Sequence, residues 1–191
     1  GDSQLFKHAH FIIKFSNKIK LIYIDPRRFG LIKVLSSYSL FKSKIFSHLG
    51  VEPLDKDFSG RLLKKICENK KSSIKSTIMN QRYVVGVGNI YASESLFLAK
   101  VNPLKACSLL TMQECNHIVC SIKKVLNKSI KLGGSSINNY AMVSGKLGNY
   151  QNKLEVYGRE GLICRKRTCQ SKILRIVIAQ RSTFYCPVCQ K

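Results

Sequence analysis

The pattern of apolar and polar positions changes period along the chain. Residues 10–15 and 19–24 are strand-like segments separated by Ser16-Asn17-Lys18, which predicts a β-hairpin. Asp25-Pro26-Arg27-Arg28-Phe29-Gly30 is punctuated by Pro and Gly and reads as a loop, and 31–35 as a third strand. Helical character follows over 39–49, stopping at Gly50, and over 57–69, where Phe58, Leu62, Leu63 and Ile66 are the apolar positions. Shorter helices are expected over 74–80 and 89–99. The clearest helix spans 111–132: Thr111 and Glu114 form a capping box, Ile118, Ile122, Val125 and Leu126 share a face, and Gly133-Gly134 end it. Residues 135–152 are rich in Gly, Asn and Ser and too long for an ordinary connection. Residues 170–185 alternate and then run apolar, as two short strands around a turn would. Strands, five helices, a polar loop and a terminal hairpin, with no internal repeat, make an α+β chain.

Charge narrows the partners. Thirty-three basic residues against ten acidic ones give the 191-residue chain a formal charge of +23, while 45% hydrophobic residues suffice for a core. Such an excess implies a polyanion: DNA, RNA or an anionic membrane. The membrane reading is the weaker, because no apolar run approaches the roughly 18 residues that span a bilayer and no signal peptide is visible.

Cysteine spacing adds a metal. Cys164-x4-Cys169 and Cys186-Pro187-Val188-Cys189 flank the hairpin segment, the spacing of a four-thiolate zinc site. A pair of disulfides is the alternative, disfavoured in a basic chain without a secretion signal. Cys67, Cys107, Cys115 and Cys120 sit in apolar-periodic segments and are expected to be buried free thiols. Between Val156 and Lys191 there are eight Lys or Arg and one acid, Glu160, so the hairpin is a cationic surface.

Two further segments carry chemistry. In Val85-Gly86-Val87-Gly88-Asn89-Ile90-Tyr91 the glycines let the backbone approach a ligand, and Asn89 is expected to N-cap a helix whose free amides attract an anion. A phosphate contact and a plain helix–turn–helix corner both fit. The loop 25–30 presents two cations and an aromatic ring. Phe29 either wedges between bases, with arginine on the vacated edge, or tucks beneath the loop.

Taken in order, His8-Ala9-His10, the loop 25–30, the segment 86–91, Gly133-Gly134-Ser135-Ser136, Val156-Tyr157-Gly158-Arg159-Glu160-Gly161 and Arg181-Ser182-Thr183-Phe184-Tyr185-Cys186-Pro187-Val188-Cys189-Gln190 resemble the bacterial formamidopyrimidine-DNA glycosylases. The resemblance covers nearly the whole chain. It implies a multidomain α+β fold: the remnant of an N-terminal β-sandwich over 1–36, a helical helix–two-turn–helix domain over 37–150 with a lesion-closing loop at 133–150, and a β-hairpin zinc finger over 156–191. It further implies excision of oxidised purines such as 8-oxoguanine through a Schiff base, β,δ-elimination at abasic sites, double-stranded DNA as partner, one structural Zn2+ on Cys164, Cys169, Cys186 and Cys189, and a cytoplasmic, nucleoid-associated monomer with no membrane role.

The resemblance also assigns residues. Arg27 would pair with the estranged cytosine and Phe29 fill the stack beside it. His8, Lys70 and Asn89 would hold DNA, Asn89 on a phosphate beside the flipped nucleotide, and Lys75 would lie near the lesion strand. Arg181 would clamp a phosphate or donate the proton in δ-elimination; an arginine with pKa above ~12 is a reluctant acid. The chain departs from the pattern in its x4 cysteine pair, where the family has x2, and in Asn138, where a basic residue is usual. It also opens Gly1-Asp2-Ser3 and joins the pattern near Lys7-His8, so the family's N-terminal proline, the glutamate beside it and a helping lysine are absent. The expectation is the C-terminal part of a longer enzyme, binding DNA but not excising by itself. The alternatives are an endonuclease VIII-type pyrimidine glycosylase, against which the Arg27-Arg28-Phe29 wedge argues, and a non-catalytic nucleic-acid-binding zinc protein.

Overall fold

The structure, a computed structural model, describes residues 7–40, 43–135 and 148–191. It divides into two compact units, Gly1–Ser47 and His48–Lys191.

In the first unit, β1 (Ala9–Lys14) pairs antiparallel with β2 (Lys20–Ile24) from Ala9↔Ile24 to Lys14↔Lys20, with a bulge between Ala9 and Phe11. The turn closes through the Phe15 N–H on the Ile19 carbonyl, 2.9 Å, with Lys18 left-handed at φ 66°. The expected third strand does not form. Leu31 and Val34 are 73% and 93% exposed, and the run pairs with neither open edge of the β1–β2 sheet, so it completes no ladder. The helix expected over 39–49 is likewise replaced, among the described residues, by a 3-10 turn at Ser37–Ser39 and further turns over 43–48. There the Ser43 hydroxyl accepts the Ile45 N–H, 3.3 Å, a local bond that competes with helix.

Among its described residues the second unit holds four α-helices: α1 (Gly60–Cys67), α2 (Ile74–Ile78), α3 (Asn89–Ala99) and α4 (Met112–Lys131). Helix α1 starts three residues later than its apolar pattern suggests because Ser59 caps it, its side chain accepting the Leu62 N–H at 3.2 Å. Gly60 is where α1 meets α4; a Cβ there would lie 1.8 Å from Asn116 Oδ1 and 2.9 Å from the Asn116 backbone nitrogen. The capping box of α4 forms as expected: Thr111 Oγ1 accepts the Glu114 N–H at 3.1 Å, and Glu114 Oε2 accepts the Thr111 N–H at 2.9 Å. Glu114 also pairs with Lys105 at 2.6 Å. Its other end closes on left-handed Gly133 and Gly134, the Gly134 N–H returning to Ser129 O at 2.9 Å.

Leu63, Ile74, Ile78, Leu96, Ile118 and Ile122 form the helical core. Cys67, Cys107 and Cys115 are buried within it, but Cys120 is exposed, a correction to the expectation for all four. On α4 it falls on the face away from Cys115, Ile118 and Ile122.

The terminal module packs on α3. Strands β3 (Leu174–Ile178) and β4 (Arg181–Tyr185) pair from Leu174↔Tyr185 to Ile178↔Arg181 across a two-residue turn, Ala179 and Gln180, both left-handed at φ 47° and 60°. Val156, Ile173 and Phe184 form its small core, with Tyr157 edge-on to Phe184 at 5.0 Å. Two buried polar side chains fasten it. Both oxygens of Glu94, on α3, accept the backbone N–H groups of Glu155, Val156 and Tyr157 at 2.8–3.0 Å. Gln190 accepts the Cys186 N–H and donates to Val101 O, each at 2.9 Å.

Candidate nucleic-acid interface and metal centre

The knuckles that flank the hairpin bring four thiols together. The Sγ atoms of Cys164, Cys169, Cys186 and Cys189 lie within 4.8 Å of one another, with 3.9 Å between Cys164 and Cys189 and 3.7 Å between Cys169 and Cys186. These separations are far beyond the roughly 2.05 Å of a disulfide. They match the ~3.8 Å edge of a tetrahedron with Zn–S bonds near 2.3 Å. The x4 knuckle closes as well as the x2 one: the Cys169 N–H bonds Lys166 O at 2.8 Å, and the Cys164 N–H bonds Ser171 O at 2.9 Å. Burial works against ionisation of Cys186, but the N–H groups of Cys189 and Val188, together with the Cys169 and Cys189 thiols, outweigh it and hold the thiol at about 7.

The hairpin turn carries Arg181, exposed at the start of β4, to the N-terminal end of α3. Lys75 sits between them, 1% exposed. Its ammonium donates to Asn89 Oδ1, to Thr183 Oγ1 at 2.7 Å and to Ser182 O at 3.5 Å, while Asn89 Nδ2 donates to Ser182 O at 2.8 Å. Burial, and then the Arg181 cation, lower Lys75 from its ordinary value to about 8. A cleft of about 230 Å³ opens beside them, walled by Lys75, Met79, Asn80, Ala179 and Arg181.

Asn89 is not the N-cap. Gly88 is, and Asn89 is the first helical residue, its side chain turned to Lys75 and the hairpin. With no side chain at the cap, α3 presents its first amides unmet, an anion-seeking end. Gly86, at φ 73°, supplies the left-handed turn before it, and nothing stands within 4 Å of where a Cβ would be on Gly86 or Gly88.

Three expected site residues are thus gathered: Lys75, Asn89 and Arg181. Lys70 is not bonded into the cluster; its ammonium lies over the Tyr83 ring, 5.0 Å from the centroid. His8, Arg27 and Phe29 belong to the first unit. There Asp25 organises the loop, its carboxylate accepting the Gly30 N–H at 2.7 Å, the Arg27 N–H at 3.2 Å and the Tyr23 hydroxyl at 3.0 Å. The Gly30 bond, foremost, holds this carboxyl below its usual range. Phe29 is 78% exposed with the Arg27 guanidinium 4.6 Å over its ring, so it is not tucked under the loop. His8 is exposed, and its carbonyl accepts the Asp25 N–H at 3.0 Å. Of the expected lesion-closing loop, residues 136–147, Asn138 among them, lie outside the described residues; its ends meet through the Ser135↔Asn149 bridge. Sequence reasoning passed over Glu94, Thr183 and Gln190. Glu94 alone left a signal, an acid inside the otherwise apolar and small α3.

A helical domain whose third helix starts from a glycine-rich turn without a side-chain cap, docked to a four-thiolate zinc finger, is the class of protein these features define. The profile of the formamidopyrimidine-DNA glycosylase H2TH domain matches residues 49–141, and that of a zinc finger found in FPG and IleRS matches 161–191. The chain is 42% identical over 189 residues to a formamidopyrimidine-DNA glycosylase of Wolbachia pipientis wMel, covering 99% of this chain and 68% of the relative. It is 45% identical to one from Escherichia coli O6:H1, over 97% of this chain and 67% of the relative. Among solved structures, a complex between the Lactococcus lactis Fpg and an abasic-site-containing DNA superposes with TM-score 0.87 at 38% identity, over 97% of this chain and 67% of that one. MutM (FPG) from Thermus thermophilus does so with TM-score 0.85 at 33% identity, over 96% and 69%. The chain belongs to the formamidopyrimidine-DNA glycosylase family and spans about two thirds of the length of the curated relatives it matches. Cys164, Cys169, Cys186 and Cys189 are the ligands of a structural zinc ion: four thiolates complete the coordination and leave no open position for catalysis. Among the described residues no helix is long and apolar enough to cross a membrane.

Proposed function

We propose that this chain is the DNA-gripping part of a base-excision enzyme that removes oxidised purines, 8-oxoguanine and formamidopyrimidines, from double-stranded DNA. Excision would run through a Schiff base, with strand cutting by β,δ-elimination. The observation that carries this reading is the junction of Lys75, Asn89 and Arg181 near the uncapped start of α3: a buried ammonium bonded to Asn89, and beside it a cleft that Lys75 and the exposed Arg181 wall. That set is suited to a phosphate beside an extruded nucleotide. Arg27 and Phe29 would fill the space left in the duplex, the exposed ring entering the stack and the guanidinium reaching the unpaired cytosine. His8 and Lys70 would hold the backbone. Arg181 would clamp the phosphate on the far side; its role as δ-elimination proton donor is the second possibility for the same position. The zinc ion fixes the hairpin that aims it.

In this reading residues 1–36 are the end of a β-sandwich domain, 37–150 the helix–two-turn–helix domain with its closing loop at 133–150, and 156–191 the zinc finger. The protein acts as a cytoplasmic, nucleoid-associated monomer. The family resemblance puts the attacking amine on an N-terminal proline, and a polypeptide that starts at Gly1 is expected to bind without excising. The test is fluorescence anisotropy and strand-cleavage assay of residues 1–191 on a duplex bearing an abasic analogue or 8-oxoguanine opposite cytosine. Tighter binding to the lesion duplex than to undamaged DNA, without base release, is the expected result. Equal binding to both would sink the lesion-recognition reading, and base release would sink the assignment of the nucleophile.

A further inference from the structure

At the other end of α3 lies a feature that the DNA-gripping reading leaves unused. Two recesses of about 430 and 370 Å³ share Lys100, Lys166 and Cys189 in their walls and so run into one another, forming a groove between α3, α4 and the outer side of the zinc finger. Phe97, Leu98, Val125 and Tyr150 make an apolar floor. Lys100, Lys124, Lys128, Lys153 and Lys166 stand around it, all exposed. None of these five ammonium groups has a hydrogen-bond or ion-pair partner among the described residues. Two carboxylates share the wall. Glu94 is 3% exposed and spent on three backbone N–H groups, which leaves Glu155 as the one acid facing these five lysines together with Arg165 and Lys191.

We propose that this groove is a docking site for an acidic peptide segment of another protein, one that carries apolar side chains among its carboxylates. An apolar floor inside a cationic rim matches alternating apolar and anionic groups, burying the first and neutralising the second. A duplex offers its phosphates on a convex ridge and has nothing to place on Phe97 or Leu98. The Lys100 end of the groove also lies an α3 length, about 16 Å, from the Asn89 end, roughly two Debye lengths at physiological salt. A second copy of this chain is no better: its ten acids are never adjacent in sequence and each copy carries +23. The occupant is therefore an acidic segment of a different chain, and docking there leaves the Lys75–Asn89–Arg181 end open.

The experiment is anisotropy with a fluorescein-labelled decapeptide of eight aspartates and two phenylalanines, against residues 1–191 with zinc bound, at about 0.15 M salt. The expected result has three parts. Lys100→Glu with Lys166→Glu, at the far end of the groove, weakens peptide binding about tenfold while duplex affinity changes less than about twofold. Leu98→Glu, at a 43% exposed position that the fold tolerates, weakens the peptide similarly. An all-aspartate decapeptide binds several-fold less tightly. Equal binding of the all-aspartate peptide, or displacement of the peptide by a short duplex in slight excess, would show general attraction to a basic protein and overturn the proposal. An oligothymidylate that binds more tightly than the peptide, and loses its binding in the same variants, would overturn it in favour of single-stranded nucleic acid.

Discussion

Lys75 illustrates how one side chain can join two modules. Its ammonium links α2 to Asn89 at the start of α3 and to Thr183 on the zinc hairpin, at the cost of burial that lowers its pKa to about 8. The unfolded chain, in which Lys75 returns to about 10.5, binds more protons between those values. Stability contributed by this group therefore rises as pH increases from about 8 to 10.5, up to ~3 kcal/mol. Denaturant titrations of the protein and of Lys75→Met across that range should diverge in this direction, since the other titrating groups are common to both. A pH-independent difference would remove the proposed shift. At the loop of the first unit, a Cβ on Gly30 would fall 1.4 Å from Tyr23 Oη and 2.9 Å from the Asp25 carboxylate that holds the turn. Gly30→Ala should loosen the Arg27–Phe29 tip and reduce discrimination between lesion and undamaged duplex several-fold, read by anisotropy, with Lys75-dependent stability unchanged.

At the level of elements, local chemistry was the legible part. Capping of α4 by Thr111 and Glu114, the glycines that end it, and the hairpin between the cysteine pairs could all be read because each signal lies within a few residues of its effect. What depends on distant partners was not legible. Residues 31–35 are apolar enough for a strand but pair with neither strand of the β1–β2 hairpin, and Asn89 gave up the cap to reach Ser182, 93 residues on. The same distinction separates two substitutions. The Ala179-Gln180 turn has both residues left-handed, as a type I′ hairpin requires, in residues poorly suited to it. Replacing the pair by Asn-Gly should stabilise the zinc-bound protein by about 1 kcal/mol or more, seen as a higher melting temperature. Gly60→Ala adds a good helix former yet should destabilise by about 1–3 kcal/mol, because its Cβ collides with the Asn116 side chain and backbone of α4. Thermal melts of both variants check the pair, and a stabilising Gly60→Ala would mean that the α1–α4 approach has room to give.

Across the His48–Lys191 unit, the zinc finger is held by its metal and by the helices, and the two holds can be separated. Its own core is small, chiefly Val156, Ile173 and Phe184, and a two-stranded hairpin is marginal in water without further support. The helical core of Leu63, Leu96, Ile118 and Ile122 includes no residue beyond α4. Removing zinc should therefore unfold the module while leaving the helices in place, because Glu94 and Gln190 bind backbone groups that exist in position only while the knuckles are closed. Arg181 and Thr183 leave with it, and Lys75 and Asn89 lose the hairpin partners that orient them at the cleft. Native mass spectrometry should find one zinc per chain. Chelation should retain most of the helical circular dichroism yet weaken duplex binding about tenfold or more, with recovery on adding zinc back. The remaining affinity should follow salt with a shallower slope, since fewer phosphates are engaged. Undiminished binding by the metal-free chain would show that the DNA grip does not pass through the hairpin at all, and would return Arg181 to the status of an ordinary surface cation.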